Sequence, residues 1–164
     1  MHITATSALW FAPFMLPICI WVALSDLRVM RIPNVAVYAS VAVFLAIGLI
    51  ALPLSEYPWR LLQLAIVLLA GIALNAAGAV GAGDAKFAAA AAPFVAAGDL
   101  RMLMALFAAN LLAAFSAHRI AKHTPLRKLA PHWDSWNRGS DFPMGLSLGA
   151  TLAIYLVLGT IYGR

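Results

Sequence analysis

The sequence predicts an all-α, polytopic membrane protein with about six transmembrane helices, and its composition is the main reason. Of its 164 residues, 64% are hydrophobic and only 10% are charged, whereas an average soluble domain is about 45–50% apolar and about 25% charged. The mean hydropathy is +0.92. A soluble domain of this length buries only roughly 70% of the surface of its unfolded chain, which would leave too much apolar surface in water. Disorder is excluded because it requires low hydrophobicity and high charge.

Six apolar runs follow one another, and each is interpreted as one helix of a single membrane-embedded domain, residues 1–164. A helix needs about 20 apolar residues to span a bilayer. We find no internal repeat that would divide the chain. The runs lie at residues 8–25, 35–54, 61–80, 87–97, 102–117 and 143–162.

Short polar segments separate the first three helices. The first run contains Pro13 and Pro17, which predict a kink. No Lys or Arg precedes this run, although a secretory signal requires a positive segment there, so we expect it to remain as a helix. The polar segment 26–34 ends the first helix, the turn 55–60 ends the second, and the glycine-rich segment 81–86 ends the third.

The fourth run, 87–97, is short, nearly all alanine, and contains Pro93. As a helix it covers only about 17 Å, against a hydrocarbon core of about 30 Å. We therefore expect the residues around Asp84 to lie near protein-lined, partly wet space. The turn 98–101 leads into the fifth helix, and the long polar loop 118–142 precedes the sixth.

The distribution of basic residues favours an N-terminus outside. Cytoplasmic loops carry an excess of Lys and Arg. With the N-terminus outside, eight basic residues fall on the inner side and three on the outer side. The inner set is Arg28, Arg31, Lys86, Arg119, Lys122, Arg127, Lys128 and Arg138, and the outer set is Arg60, Arg101 and Arg164.

Two of the six acidic residues, Asp26 and Asp84, each abut an apolar helix end at the predicted inner face. Acidic groups at membrane depth are costly and usually functional. Two carboxylates that share a site do not both ionise easily, so the pair holds one proton over a range of pH. The ionised member can then take a proton from water while the protonated member polarises a carbonyl, as in aspartic proteases. The alternative is that both acids only pair with neighbouring basic loop residues.

The sequences around the two acids add to this interpretation. After Asp26 the chain continues through a basic turn, in which Pro33 ends the turn and Asn34 is expected to cap the second helix. Around the second acid it reads Gly81-Ala-Gly83-Asp84-Ala-Lys86. Glycines allow close backbone approach and so could bring a peptide substrate near Asp84.

Together these motifs resemble the type IV prepilin peptidase family of intramembrane aspartic peptidases. That family has an Asp followed by a basic turn ending in Ile-Pro-Asn, and a later Gly-x-Gly-Asp-x-Lys. It also has a Pro-Tyr-Gly-like motif at the start of the last helix, where Phe142-Pro143-Met144-Gly145 stands in this chain. The tyrosine is replaced by Met144. The resemblance extends along the whole chain in order and spacing.

The resemblance implies that Asp26 and Asp84 form the catalytic dyad of a prepilin leader peptidase. It also implies substrate-binding or supporting roles for the other motif residues, with Arg31 and Lys86 orienting loops or biasing the acids. The supporting set is Gly81, Gly83, Lys86, Arg31, Pro33, Asn34, Pro143 and Gly145.

The chain resembles the short, peptidase-only branch that serves tight-adherence (Flp-type) pili. Bifunctional members carry an extra cytoplasmic domain, often with paired CxxC motifs, between the first two helices. Here that connection is short and Cys19 is the single cysteine. We therefore predict no methyl transfer, no metal site and no cofactor.

The implied partners are a membrane-inserted prepilin with a basic leader, the lipid bilayer and the pilus assembly machinery. The implied location is the bacterial inner (cytoplasmic) membrane, with cleavage at its cytoplasmic face. Nucleic-acid binding is not expected, because the net charge of +5 is spread over loops and no dense basic run is interleaved with aromatics.

Two other functions remain open from the sequence. The chain could be a non-catalytic membrane subunit of a pilus or secretion system, or a small proton-coupled transporter, although transporter acids more often lie near the bilayer midplane. Ser147 lies in a G-x-S-x-G pattern that we interpret as helix packing. His118, His123 and His132 lack metal-ligand spacing and are interpreted as solvated residues.

Overall fold

A computed structural model describes residues 1–138 and 141–164. These residues form six α-helices and no strand, which confirms the all-α class. Five of the six helices are long and apolar enough to cross a membrane, as a polytopic protein requires. The helices are α1 (Ala5–Val29), α2 (Asn34–Ala51), α3 (Tyr57–Ala76), α4 (Ala82–Ala91), α5 (Leu100–His123) and α6 (Met144–Tyr162).

The first helix is longer than its apolar run at both ends. Thr4 caps its start, because the Thr4 Oγ1 accepts a hydrogen bond from the N–H of Ser7 at 3.1 Å. The helix then continues past Asp26 to Val29 and ends at Met30, whose φ of 52° is left-handed. The end of the apolar run at residue 25 is therefore not the end of the helix. Asp26 lies in the last turn of α1 and not in a loop.

The fourth helix differs most from its predicted range of 87–97. It begins at Ala82, so most of the glycine-rich segment is helical. It ends at Ala91, two residues before Pro93. With ten residues it is the one α-helix too short to cross a membrane among those described. A 3₁₀ turn at Ala92–Phe94, two extended residues and a second 3₁₀ turn at Ala97–Asp99 then carry the chain to the start of α5.

The remaining boundaries shift by a few residues. Helix α2 ends at Ala51, before Pro53, and α3 begins at Tyr57 with Pro58 in its first turn, where proline is tolerated. Helix α5 continues to His123. The polar loop therefore begins at residue 124, and its described part contains two short 3₁₀ turns, Pro125–Leu129 and Asp134–Trp136.

Helix α1 packs along α6 and against α2. The approach to α6 is close, since a Cβ on Gly149 would lie 2.7 Å from the carbonyl oxygen of Cys19. Beside it, Phe94 packs edge-on against both Phe11 and Phe44, with ring centroids 4.9 and 5.6 Å apart. Helices α3 and α5 instead leave apolar side chains such as Ile66 exposed, as lipid-facing surfaces do.

Polar side chains hold the extended segment after α4. The N–H of Ala96 donates to the hydroxyl of Tyr155 at 3.1 Å, and that hydroxyl donates to Asp99 at 2.8 Å. The buried Arg60 donates to the carbonyl of Val95 and pairs with Glu56 at 3.2 Å. These side chains supply hydrogen bonds to backbone groups that have no partner within a helix.

The N-terminus is held at this same end. The carboxylate of Asp99 is buried, and it accepts hydrogen bonds from the N–H groups of His2 and Ile3 at 2.7 and 3.0 Å. The chain start, the beginning of α5 and the last turns of α6 therefore meet at one end of the bundle, opposite the end at which α1 terminates.

Candidate active site

Asp26 lies in the last turn of α1 with only 6% of its surface exposed. Its Oδ2 accepts a hydrogen bond from the backbone N–H of Gly145 at 2.6 Å, and this bond is buried. Gly145 is the second residue of α6, so the donor is one of the N–H groups that a helix leaves unpaired in its first turn. The start of α6 is thereby fixed against the end of α1.

Asp84 lies in the first turn of α4, where the helix dipole favours an acidic side chain. The side chain is half-buried and lies outside the five candidate membrane spans. Burial raises the pKa of Asp84 to about 6, and the negative charge of Asp26 acts in the same direction. Asp84 can therefore hold a proton close to neutral pH.

Both acids line one cavity of about 320 Å³ at the end of the bundle where α1 terminates and α4 begins. The structure thus brings together the two acids that the sequence singled out, across 58 positions of chain. Most of the predicted supporting residues line the same cavity. Its lining is Asp26, Met30, Arg31, Ile32, Asn34, Gly81, Ala82, Gly83, Asp84 and Lys86.

The glycines of the site have different roles. A Cβ on Gly81 would lie 2.6 Å from Oδ2 of Asp84, and a Cβ on Gly145 would lie 2.9 to 3.1 Å from the side chain of Asp26. A Cβ on Gly83 would meet Ile32 at an ordinary 3.5 Å. Gly81 and Gly145 are therefore the glycines that the two carboxyl groups require.

Polar side chains of α1 and α4 contact the connection between α1 and α2 and the start of α2 beside the acids. The Lys86 Nζ lies 3.5 Å from Oδ1 of Asn34, which joins the start of α4 to the start of α2. The hydroxyl of Ser25 donates to the carbonyl of Arg31 at 3.0 Å and so stabilises the turn. Both basic residues, Arg31 and Lys86, line the cavity that contains the acids.

The prediction that Asn34 caps α2 is wrong. Pro33 occupies the capping position, where it makes no side-chain cap hydrogen bond. Asn34 is already helical, and its amide faces Lys86 across the cavity. A fixed φ suits proline to the residue where the chain enters a helix.

An aromatic cluster anchors the loop that precedes α6, and the sequence did not indicate it. His118 is 5% exposed, so its interpretation as a solvated residue is wrong, whereas His123 and His132 are exposed. The His118 ring stacks on Trp136 with centroids 5.0 Å apart and meets Phe142 edge-on at 5.9 Å. Histidines within a basic segment resemble ordinary loop residues, so only the packing of the loop distinguishes His118.

Pro143 stands at the N-terminal cap position of α6 and is fully buried. It is thus placed to bring Gly145 against Asp26, while Met144 between them begins the helix. No group of three His, Cys, Asp or Glu side chains that could hold a metal ion occurs among residues 1–138 and 141–164.

Comparison with known proteins gives one positive result. Searches of curated proteins and of solved structures each found no match. A family model described as the type IV leader peptidase family matches residues 13–117, which is more than half of the chain and contains both Asp26 and Asp84. This family implies a peptidase. The chain belongs to the type IV leader peptidase family.

Proposed function

We propose that the protein is an aspartic endopeptidase that removes the basic leader of Flp-type prepilins at the cytoplasmic face of the bacterial inner membrane. One observation carries the proposal: Asp26 and Asp84 line a single cavity in a chain that belongs to a peptidase family. The reaction needs no metal or cofactor from this chain, because two carboxyl groups that share one proton suffice for peptide hydrolysis.

The chemistry follows from one water molecule between the acids. The ionised acid takes a proton from the water as the water oxygen attacks the scissile carbonyl, and the protonated acid donates its proton to the carbonyl oxygen. The tetrahedral intermediate collapses when the leaving amine receives a proton from the first acid, and the second acid regains its own from the hydroxyl. The pair returns to its starting state with one proton.

The charge distribution supports the cytoplasmic face. The end of the bundle that carries the cavity also carries the ends of α1 and α5 and the start of α4, where the eight basic residues of the predicted inner side are found. Arg60, Arg101 and Arg164 belong to the opposite end. A membrane protein with this asymmetry inserts with its basic end in the cytoplasm.

The expected substrate is a prepilin whose apolar helix lies in the bilayer and whose basic leader extends to the surface. Contact with the pilus assembly machinery follows from this substrate and is part of the proposal.

Purified protein, reconstituted with a Flp-type prepilin, tests the reaction. Loss of the leader should be visible as a mobility shift, and Asp26→Asn and Asp84→Asn should each abolish it. The matched control is Asp134→Asn, which changes an exposed acid of the polar loop and should leave cleavage intact. Cleavage that survives at either of the first two variants would overturn the dyad.

The same material separates the two other functions that the sequence left open. A pilus assembly subunit would bind prepilin without shortening it, and the asparagine variants would bind it equally. A proton-coupled transporter would acidify or alkalinise proteoliposomes when its solute is added, with no prepilin present. Leader loss that depends on both acids is expected of the peptidase alone.

A further inference from the structure

The two acids of the cavity have different hydrogen-bond environments. Asp26 accepts the buried N–H of Gly145 at 2.6 Å. Asp84 also lies in the first turn of a helix, but within the described part of the chain its carboxylate accepts no hydrogen bond and α4 has no side-chain cap. One carboxyl group is therefore held by a fixed donor, and its partner is not.

A fixed N–H donor favours the ionised form of the carboxylate that it meets. Hydrogen bonds to an ionised acceptor are shorter and about twice as strong as neutral ones, and the N-terminus of α6 adds a positive partial charge at the same place. When two neighbouring acids share one proton, the proton resides mainly on the acid whose ionised form is less stabilised.

We infer that the backbone N–H of Gly145 is a positioning group that keeps Asp26 as the ionised member of the pair and leaves the shared proton on Asp84. This inference rests on the proposed function and assigns the two roles within it. Asp26 takes the proton of the attacking water, and Asp84 donates its proton to the carbonyl oxygen. In the collapse of the intermediate, Asp26 returns its proton to the leaving nitrogen and Asp84 regains one from the hydroxyl.

The effect of the Asp26 charge on Asp84 agrees with this assignment. Burial raises the pKa of Asp84 to about 6, and the charge on Asp26 contributes to the increase. The raised value is consistent with an Asp26 that stays ionised while Asp84 carries the proton.

The loop before α6 keeps the donor in place. The Phe142 ring meets Phe115 at 5.6 Å and His118 at 5.9 Å, and His118 stacks on Trp136. The 3₁₀ turn that contains Trp136 packs against α1, the helix that carries Asp26. The start of α6 and helix α1 therefore contact the same cluster. Gly145 has to be glycine because a Cβ would contact the Asp26 carboxyl group.

Replacing the amide of residue 145 by an ester tests the inference without adding an atom to the site. Glycolic acid at position 145 replaces the N–H by an ester oxygen and, like glycine, has no side chain. The matched control is the same backbone change at Leu146, whose N–H donates to the carbonyl of Pro143 at 3.3 Å. Both proteins are assayed in full length for prepilin cleavage as a function of pH.

The expected result is a shift of one limb of the pH profile. Without the donor, the acidic limb of kcat/KM, which reports ionisation of Asp26, should move upward by about one pH unit. The alkaline limb, which reports ionisation of Asp84, should stay in place. Asp26 is ionised on both sides of that limb, so loss of the hydrogen bond affects both states equally. The ester at Leu146 should leave both limbs where they are. An unmoved acidic limb at position 145, in a protein whose asparagine variants are inactive, would overturn the inference and leave the proposed function standing.

A second measurement needs no turnover. Infrared titration of the protonated carboxyl band compares the lone acid in Asp84→Asn with the lone acid in Asp26→Asn. The band should disappear at a lower pH in Asp84→Asn, because Asp26 retains the N–H of Gly145. Equal midpoints or the reverse order would overturn the inference. Absence of cleavage by the unmodified protein would instead overturn the proposed function and this inference together.

Discussion

Gly81 and Asp84 lie so close that a Cβ on Gly81 would be 2.6 Å from Oδ2 of the Asp84 carboxyl group. The glycine three residues before the acid thus sets where that acid can be. A side chain at Gly81 would therefore displace the Asp84 carboxyl group from its present position.

Gly81→Ala is therefore expected to reduce kcat/KM by at least about tenfold, since small displacements of reacting groups are costly. Gly83→Ala should reduce it less, because its Cβ would meet Ile32 at 3.5 Å. Cleavage assays on monodisperse protein in detergent measure both. Equal losses in the two variants would contradict the role given to Gly81.

The rate of cleavage should fall as the pH rises through about 6, the pKa to which burial and Asp26 raise Asp84. The reason is that the proposed mechanism uses the protonated form of Asp84, which disappears above this pKa. The pH dependence of kcat/KM, measured in overlapping buffers of equal ionic strength, checks this prediction. A rate that keeps rising to alkaline pH would contradict the assignment of Asp84 as the acid.

The stability of the protein should depend on the same group. An acid whose pKa is raised in the folded state binds more protons folded than unfolded, so stability falls as the pH rises from about 4 to 6 and stays lower above that range. Asp84→Asn removes the ionisation. It should stabilise the protein by about 1 kcal/mol at pH values of about 8, after solvent screening of this half-buried group.

Thermal unfolding at two pH values checks this prediction. The melting temperature of Asp84→Asn should exceed that of the unmodified protein at alkaline pH and match it at acidic pH, where Asp84 is already neutral. Asp134→Asn, at an exposed position, serves as the control and should change neither. A variant that is less stable at alkaline pH would show that the ionised Asp84 has a stabilising partner.

Tyr155→Phe should destabilise the fold without altering the reaction. The hydroxyl accepts from Ala96 and donates to Asp99, and its removal leaves a buried N–H unpaired. The expected loss is about 1.5–3 kcal/mol, measured by thermal unfolding. Because this contact lies at the end of the bundle opposite the cavity, kcat/KM per folded molecule should be unchanged, and a change in the pH profile would contradict that separation.

The helical class, the number of apolar segments and the two acids could be predicted from composition and local sequence. The hydropathy pattern marks where chain enters lipid, but not where hydrogen bonding stops. For this reason α1 continues through Asp26 to Val29, beyond the apolar run. The alanine-rich segment ends at Ala91 because proline and the extended chain follow, although its hydropathy continues.

Contacts between distant segments could not be predicted. Gly145 donates to Asp26 across 119 positions, and nothing in the local sequence of either residue specifies that pairing. His118 is similar, since a histidine beside basic residues suggests solvent until Trp136 is seen to cover it. Asp99 lies in the predicted turn 98–101, and nothing in that turn indicates that its carboxylate accepts hydrogen bonds from the backbone of His2 and Ile3.

The irregular segment after α4 depends on its neighbours for protection from lipid. Its peptide groups are satisfied by Arg60 from α3 and by Tyr155 from α6. Non-helical backbone is tolerated beside lipid only while protein covers it, at several kcal/mol for each peptide group left bare. Helix α3, which packs on α4 and on the turn after it, thus shields from lipid a stretch of backbone that could not remain in a membrane uncovered.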